Sequence, residues 1–181
     1  MIKLARPVFH AELLDFIRKV LKAVCFNCSH LMADNETNDS VQKELASYQT
    51  IVNAKARFNK VQKLAESTSV CSKCQARNRK YTKESPLKIE FEILDVEHKK
   101  KGIDTKQTLW PEEAKAIFDK ITPKHLNMLG LNKNTSNPSN MIIENLTVTP
   151  PPVRPSVMMP GCSQRSEDDL TVAYREIVKQ N

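Results

Sequence analysis

Apolar positions set the first expectations. From Phe9 to Val24 they fall at Leu13, Leu14, Ile17, Val20, Leu21 and Val24, one stripe along a helix, with Asp15, Arg18, Lys19 and Lys22 largely off it. The helix delivers the chain directly to Cys25. Residues 34–40 are polar and read as a loop. Residues 41–64 return to helical spacing through Leu45, Tyr48, Ile51, Val52, Phe58 and Leu64, less regularly, which predicts two helices or one broken helix. Between Lys88 and Asp95, Ile89, Phe91 and Ile93 alternate with Lys88, Glu90 and Glu92, the cleanest strand pattern in the chain. The charged stretch 97–106, with Gly102, reads as an exposed loop.

Pro111 suits the first turn of a helix running through Ala114, Ile117 and Phe118. Thr122-Pro123 pairs an N-cap with proline at the first helical position, and Gly130 is placed to end that short helix in a left-handed conformation. Residues 132–140 are a polar loop, and 141–149 are β-prone. Pro150-Pro151-Pro152 with Pro155 predicts an extended, polyproline-like path. Ser166, followed three residues later by Asp169, predicts the cap of a last helix whose apolar face is Leu170, Tyr174, Ile177 and Val178. Glu167, Asp168 and Asp169 suit the positive end of that helix better than a metal-binding acidic cluster.

Composition narrows the class. With 40% hydrophobic and 27% charged residues the 181-residue chain can bury a core, and with aromatics at 6% that core is mostly aliphatic. No apolar run approaches the ~20 residues needed to cross a bilayer, and no signal-peptide pattern opens the chain. The net charge of +7 suits a nucleic-acid partner, because basic side chains displace counterions from phosphates; a soluble basic domain is the plainer alternative.

Four of the five cysteines form two Cys-x2-Cys pairs, Cys25 with Cys28 and Cys71 with Cys74. Two intervening residues let one turn aim both sulfurs at one ion, and two such turns complete a tetrahedron, so the pattern points to structural zinc in a reducing compartment. The 42 residues between the pairs are no obstacle, because closure entropy grows slowly with loop length. Four thiolates leave no open position for chemistry, and the basic excess survives a filled site. His30, two residues past Cys28, is a competing ligand, with an ordinary histidine of the exposed knuckle as the plainer alternative. Cys162 is left over as a free thiol in a Pro-Gly-Cys-Ser turn. Three scattered glycines exclude a glycine-rich phosphate loop, four dispersed histidines show no metalloprotease spacing, and nothing pairs a nucleophile with a base. The expectation is no catalytic residue. The basic run Arg77, Arg79, Lys80 and Lys83 beside the second pair, and Arg154 among the prolines, are candidates for phosphate contact. A solvated face or a protein contact is the alternative for each.

Several segments in order resemble the N-terminal part of the largest subunit of cellular RNA polymerases: IKLARPVFH entering a long helix, VCFNCSHLM, IFDKITPKHLNMLGL, NMIIENLTVTPPPVRPSV and GCSQRSEDDLTVAYREIVKQN. The proline run ending in Val-Arg-Pro-Ser is the most specific of them. The resemblance implies a fragment of the clamp, the mobile arm over template DNA and the RNA–DNA hybrid, with one clamp-core zinc on Cys25, Cys28, Cys71 and Cys74. It implies an α+β, helix-rich clamp-core fragment with a few short β-strands. Its lobes would be residues 1–100, with the zinc, and 101–181, with the helical pair, proline segment and last helix. Implied partners are the other polymerase subunits, DNA and the RNA–DNA hybrid, with no membrane. The first zinc cluster would precede residue 1. The magnesium-binding, aspartate-rich loop would lie beyond residue 181, so nucleotidyl transfer would need the complete subunit. The compact Cys-Ser-Lys-Cys pair is more similar to polymerase III, polymerase I or archaeal subunits than to polymerase II. The Asn- and Lys-rich composition favours a eukaryotic source, for which the resemblance implies a nuclear setting, or a cytoplasmic one if the source is archaeal or viral. A free-standing zinc-dependent nucleic-acid-binding module and a zinc-stapled protein-interaction domain are the alternatives; neither accounts for the proline–arginine and Asp-Asp-Leu-Thr segments.

Overall fold

A computed structural model describes residues 1–34, 38–85, 87–92, 106–158, 161 and 165–181. Among them are six α-helices and seven short strands, an α+β architecture. The chain forms two compact units, Val8–Ile142, and Met1–Pro7 with Ile143–Asn181. All the buried apolar side chains among the described residues belong to the first unit, from Phe9 to Ile142.

That unit is organised around helix α1 (Leu14–Ala23), whose Leu14, Ile17, Val20 and Leu21 are completely buried. Expected from Phe9, the helix starts later: Phe9 ends strand β1 (Ile2–Phe9), and a 3-10 turn at Ala11–Leu13 leads in. The irregular middle segment resolves into two helices, α2 (Asp39–Gln49) and α3 (Ala54–Ser67). Asn38 and Asn53 cap them, each side-chain carbonyl accepting backbone N–H bonds. Helix α3 packs on α1, with Phe16 stacked on Phe58 at 4.8 Å between ring centroids and Lys22 paired to Glu66 at 2.9 Å.

Strands β2 (Lys80–Ser85), β3 (Lys88–Glu92) and β4 (Lys106–Leu109) form an antiparallel sheet in the order β2-β3-β4. Ile89 and Phe91 point into the core as their alternation requires, while 93–95 and all of the expected loop at 97–106 except Lys106, which instead begins β4, lie outside the described residues, as do 35–37 and Cys162. Helix α4 (Pro111–Asp119) begins on its proline, and Glu113 accepts the Trp110 N–H at 3.0 Å. Helix α5 (Pro123–Met128) is capped by Thr122. Its end closes with Leu131 N–H to Leu126 O at 2.8 Å and Gly130 N–H to Asn127 O at 2.9 Å, Gly130 standing at φ +77°.

In the second unit β1 pairs with β5 (Ile142–Leu146). The proline run differs from expectation: Pro151–Val153 form a 3-10 turn instead of an extended path. Proline fixes φ near −65°, a value both conformations share, so ψ decides. The Val153 and Arg154 N–H groups close back on Pro150 O and Pro151 O at 3.1 Å. The last helix, α6 (Asp169–Gln180), is also capped differently from expectation. Ser166 is held in β7 (Arg165–Ser166), paired with β6 (Val157–Met158), so the cap falls to Asp168, which accepts Leu170 N–H at 2.9 Å.

Candidate metal centre and basic surface

The cysteine pairs are built as the same turn twice. Beyond α1 the chain extends at Val24, and the Ser29 N–H returns to Cys25 O at 2.9 Å while the Cys25 N–H reaches His30 O at 2.9 Å. At the second pair Gln75 N–H bonds Cys71 O at 3.0 Å and Cys71 N–H bonds Ala76 O at 2.9 Å. Isolated bridges, Val24 with Leu31 and Val70 with Arg77, close the base of each turn. The residue after each second cysteine is left-handed, Ser29 at φ 55° and Gln75 at φ 56°. That reversal aims the next amide at the sulfur, so His30 N–H donates to Cys28 and Ala76 N–H to Cys74.

The turns face each other across the core. Cys25 Sγ lies 3.4 Å from Cys74 Sγ, Cys28 Sγ lies 3.6 Å from Cys71 Sγ, and all four sulfurs are within 4.8 Å of one another. Disulfide sulfurs stand about 2.0 Å apart, so these are thiols. A tetrahedron with zinc–sulfur bonds of about 2.3 Å has edges of about 3.8 Å, and the two shortest sulfur pairs here, at 3.4 and 3.6 Å, stand slightly inside that edge. Cys25 and Cys71 are buried, Cys28 and Cys74 half-buried. Burial raises the pKa of Cys25 and Cys28. At Cys74 burial acts in the same direction, but the Ala76 N–H and the neighbouring thiols outweigh it and bring the pKa down to about 7. The cluster therefore offers one thiolate near neutrality, and a bound cation favours ionisation of the rest by its own charge. Four sulfurs in this geometry can hold one metal ion.

His30 does not join the sulfurs. Its ring packs edge-on against His125 at 4.5 Å, and its Nε2 lies 3.1 Å from the backbone O of Asp34. Asp34 is buried, and neither it nor His125 carries a sequence signal, being 91 residues apart.

The basic candidates separate by what they touch. Arg79 is clamped between two rings, 3.5 Å above Phe26 and 4.3 Å from Phe91, and so ties the first turn to β3. Lys83 pairs with Asp15 at 3.3 Å. Arg154 is turned inward, donating from Nε to Thr149 O at 2.9 Å and from Nη1 to Thr171 Oγ1 at 3.0 Å. Arg77 and Lys80 are exposed and line an open groove with Arg79, Lys22, Glu66 and residues 67–70. The acidic start of α6 is accounted for by capping and by Glu167 paired with Arg175 at 2.9 Å.

The whole chain, residues 1–181, matches the family described as RNA polymerase Rpb1, domain 1. It is 35% identical over 190 residues to the DNA-directed RNA polymerase II subunit RPB1 of Euplotoides octocarinatus, covering 99% of this chain and 38% of that protein. It is 30% identical over 181 residues to the DNA-directed RNA polymerase subunit Rpo1N of Methanocaldococcus jannaschii, covering 99% of this chain and 13% of that protein. The chain thus spans less than two fifths of the length of either relative.

Proposed function

Because this chain belongs to the family of RNA polymerase Rpb1, domain 1, we propose that it forms part of the polymerase clamp, helping to hold template DNA and the RNA–DNA hybrid, with Cys25, Cys28, Cys71 and Cys74 binding one structural zinc. The observation that carries the metal reading is the duplicated turn with its converging sulfurs. A closed tetrathiolate contributes folding free energy and no reactivity. What it joins is functionally relevant: α1 feeds the first turn, α3 precedes the second, and the segment from the second turn into β2 carries the basic run. Nucleotidyl transfer is assigned to the complete subunit and its magnesium. Other polymerase subunits are the protein partners, and the setting is nuclear, or cytoplasmic for an archaeal or viral source. Among the described residues no helix is long and apolar enough to cross a membrane.

Exposed Arg77 and Lys80 beside the groove are the residues best placed for phosphate. Two measurements test the proposal. Elemental analysis should give one zinc in the four-thiolate site, with far-UV circular dichroism collapsing on chelation; a chain that keeps its structure without metal refutes the structural role. Binding to an RNA–DNA hybrid should weaken with salt. Replacing Arg77 and Lys80 by Gln should reduce the slope of log K against log salt by about 2, one contact each. An unchanged slope removes both from the interface.

A further inference from the structure

A second set of donors gathers around Asp34, beyond the sulfurs. We propose that His30, Asp34 and His125 form a separate site for a divalent transition-metal ion of the kind that accepts imidazole and carboxylate ligands. His125 Nε2 lies 3.2 Å from Asp34 Oδ2, His30 Nε2 lies 3.9 Å from the same oxygen, and the three donor atoms are all within 4.8 Å of one another. Bonds of about 2.0–2.1 Å in a tetrahedral site require donors about 3.3 Å apart, so the edge from His125 to Asp34 already fits, whereas His30 has to move about 0.6 Å closer to Asp34 Oδ2 when an ion binds.

The surroundings leave one carboxylate oxygen for cations. Gln42 Nε2 donates to Asp34 Oδ1 at 3.1 Å and Ser72 Oγ to the Asp34 backbone O at 3.0 Å, whereas Oδ2 faces His30, His125 and Lys124; the 3.1 Å contact of His30 Nε2 with the Asp34 backbone O is the one a bound ion has to replace. The ligands sit on constrained backbone: His30 closes the first cysteine turn, Asp34 N–H bonds Leu31 O at 3.0 Å, and His125 lies in α5 behind its Thr122 cap. Neutral imidazole and ionised carboxylate are the forms that bind metal. His125 Nδ1 is buried with no hydrogen-bond partner among the described residues, so the metal-bound tautomer lacks the usual outer support and the site is weaker than the thiolate site.

Lys124 supplies the diagnostic. Its ammonium lies 3.5 Å from Asp34 Oδ2 on a side chain that is 66% exposed, so a bound ion displaces it into solvent. Lys124→Met removes that competing charge and should tighten the second site by about tenfold, with the thiolate site unaffected.

The test uses the full, tag-free chain titrated with cobalt(II), thiolate-to-cobalt absorption reporting the cysteines and equilibrium dialysis counting ions. Two ions per chain are expected. The second should weaken by about a hundredfold in both His125→Gln and His30→Gln, with thiolate absorption and far-UV circular dichroism retained. His30, at 16% side-chain exposure against 6% for His125, gives the safer variant for folding. One ion per chain with saturated thiolate absorption overturns the site, as does a second ion indifferent to both histidine variants or an unchanged second affinity in Lys124→Met. Failure of the cysteine reading is separable: it removes the thiolate absorption and leaves the histidine-dependent ion.

Discussion

Removing Arg79 distinguishes a packing role from a nucleic-acid role for the basic run. Its guanidinium lies 3.5 Å from the Phe26 ring centroid and 4.3 Å from that of Phe91, and the residue is half-buried. A cation–π contact contributes ~0.5–1 kcal/mol when exposed and ~2 when desolvated, so two contacts at intermediate burial amount to about 2 kcal/mol. Arg79→Ala also loses the packing of the side-chain stem, which makes that figure a lower bound. Arg79→Lys keeps the charge but not the planar stacking on two faces, and should recover less than half the loss. For a slope of about 2 kcal/mol per molar urea, the alanine variant should unfold about 1 M earlier. Urea titration of the metal-loaded chain by circular dichroism measures this. Because Phe26 lies between Cys25 and Cys28, metal should also dissociate faster from the variant. A normal midpoint in Arg79→Ala, with hybrid binding lost, would refute the reasoning and return Arg79 to the phosphate-contacting set.

Three further outcomes follow from local geometry. Gly130→Ala should cost about 2 kcal/mol or more, read as a fall in melting temperature, since φ is +77° and a Cβ there would stand 2.9 Å from Ala54 O. The left-handed Ser29 is buried, its hydroxyl without a partner among the described residues, so Ser29→Gly should stabilise by about 1 kcal/mol, strain relief and the removed hydroxyl exceeding the added chain entropy; a lower urea midpoint would contradict this. The three tyrosines should ionise separately in an alkaline absorbance titration: Tyr174 first, lowered by its bonds from Thr149, then Tyr48, raised by Glu44, and Tyr81 last, pushed by burial to about 12. A raised folded pKa means that Tyr81 favours folding below about pH 10 and loses that contribution as pH rises towards 12. Its buried hydroxyl has no partner among the described residues, so Tyr81→Phe should remove the last step without lowering stability at neutral pH.

The sequence by itself determined the features that are local or periodic. The α1 stripe records one buried face, the Thr122-Pro123 cap and Gly130 stop follow from backbone chemistry within a turn, and Cys-x2-Cys spacing fixes where each pair of sulfurs points. The order of its segments carried the family. Strands β2 and β4 have no comparable signature, because Lys80–Ser85 buries only Tyr81 and Lys106–Leu109 only Leu109. The cap of α6 moved because pairing with β6 holds Ser166 in a ladder, and the proline turn depended on ψ, which proline leaves open. Tertiary structure alone decided the partners of charged groups. Arg79 and Arg154 read in sequence like any other exposed bases, yet one is stacked between rings and the other hydrogen-bonded inward. His125 meets Asp34 from 91 residues away. Periodicity records whether a position is buried; which group it meets depends on how distant segments pack, and the chemistry of the Asp34 cluster arises only there.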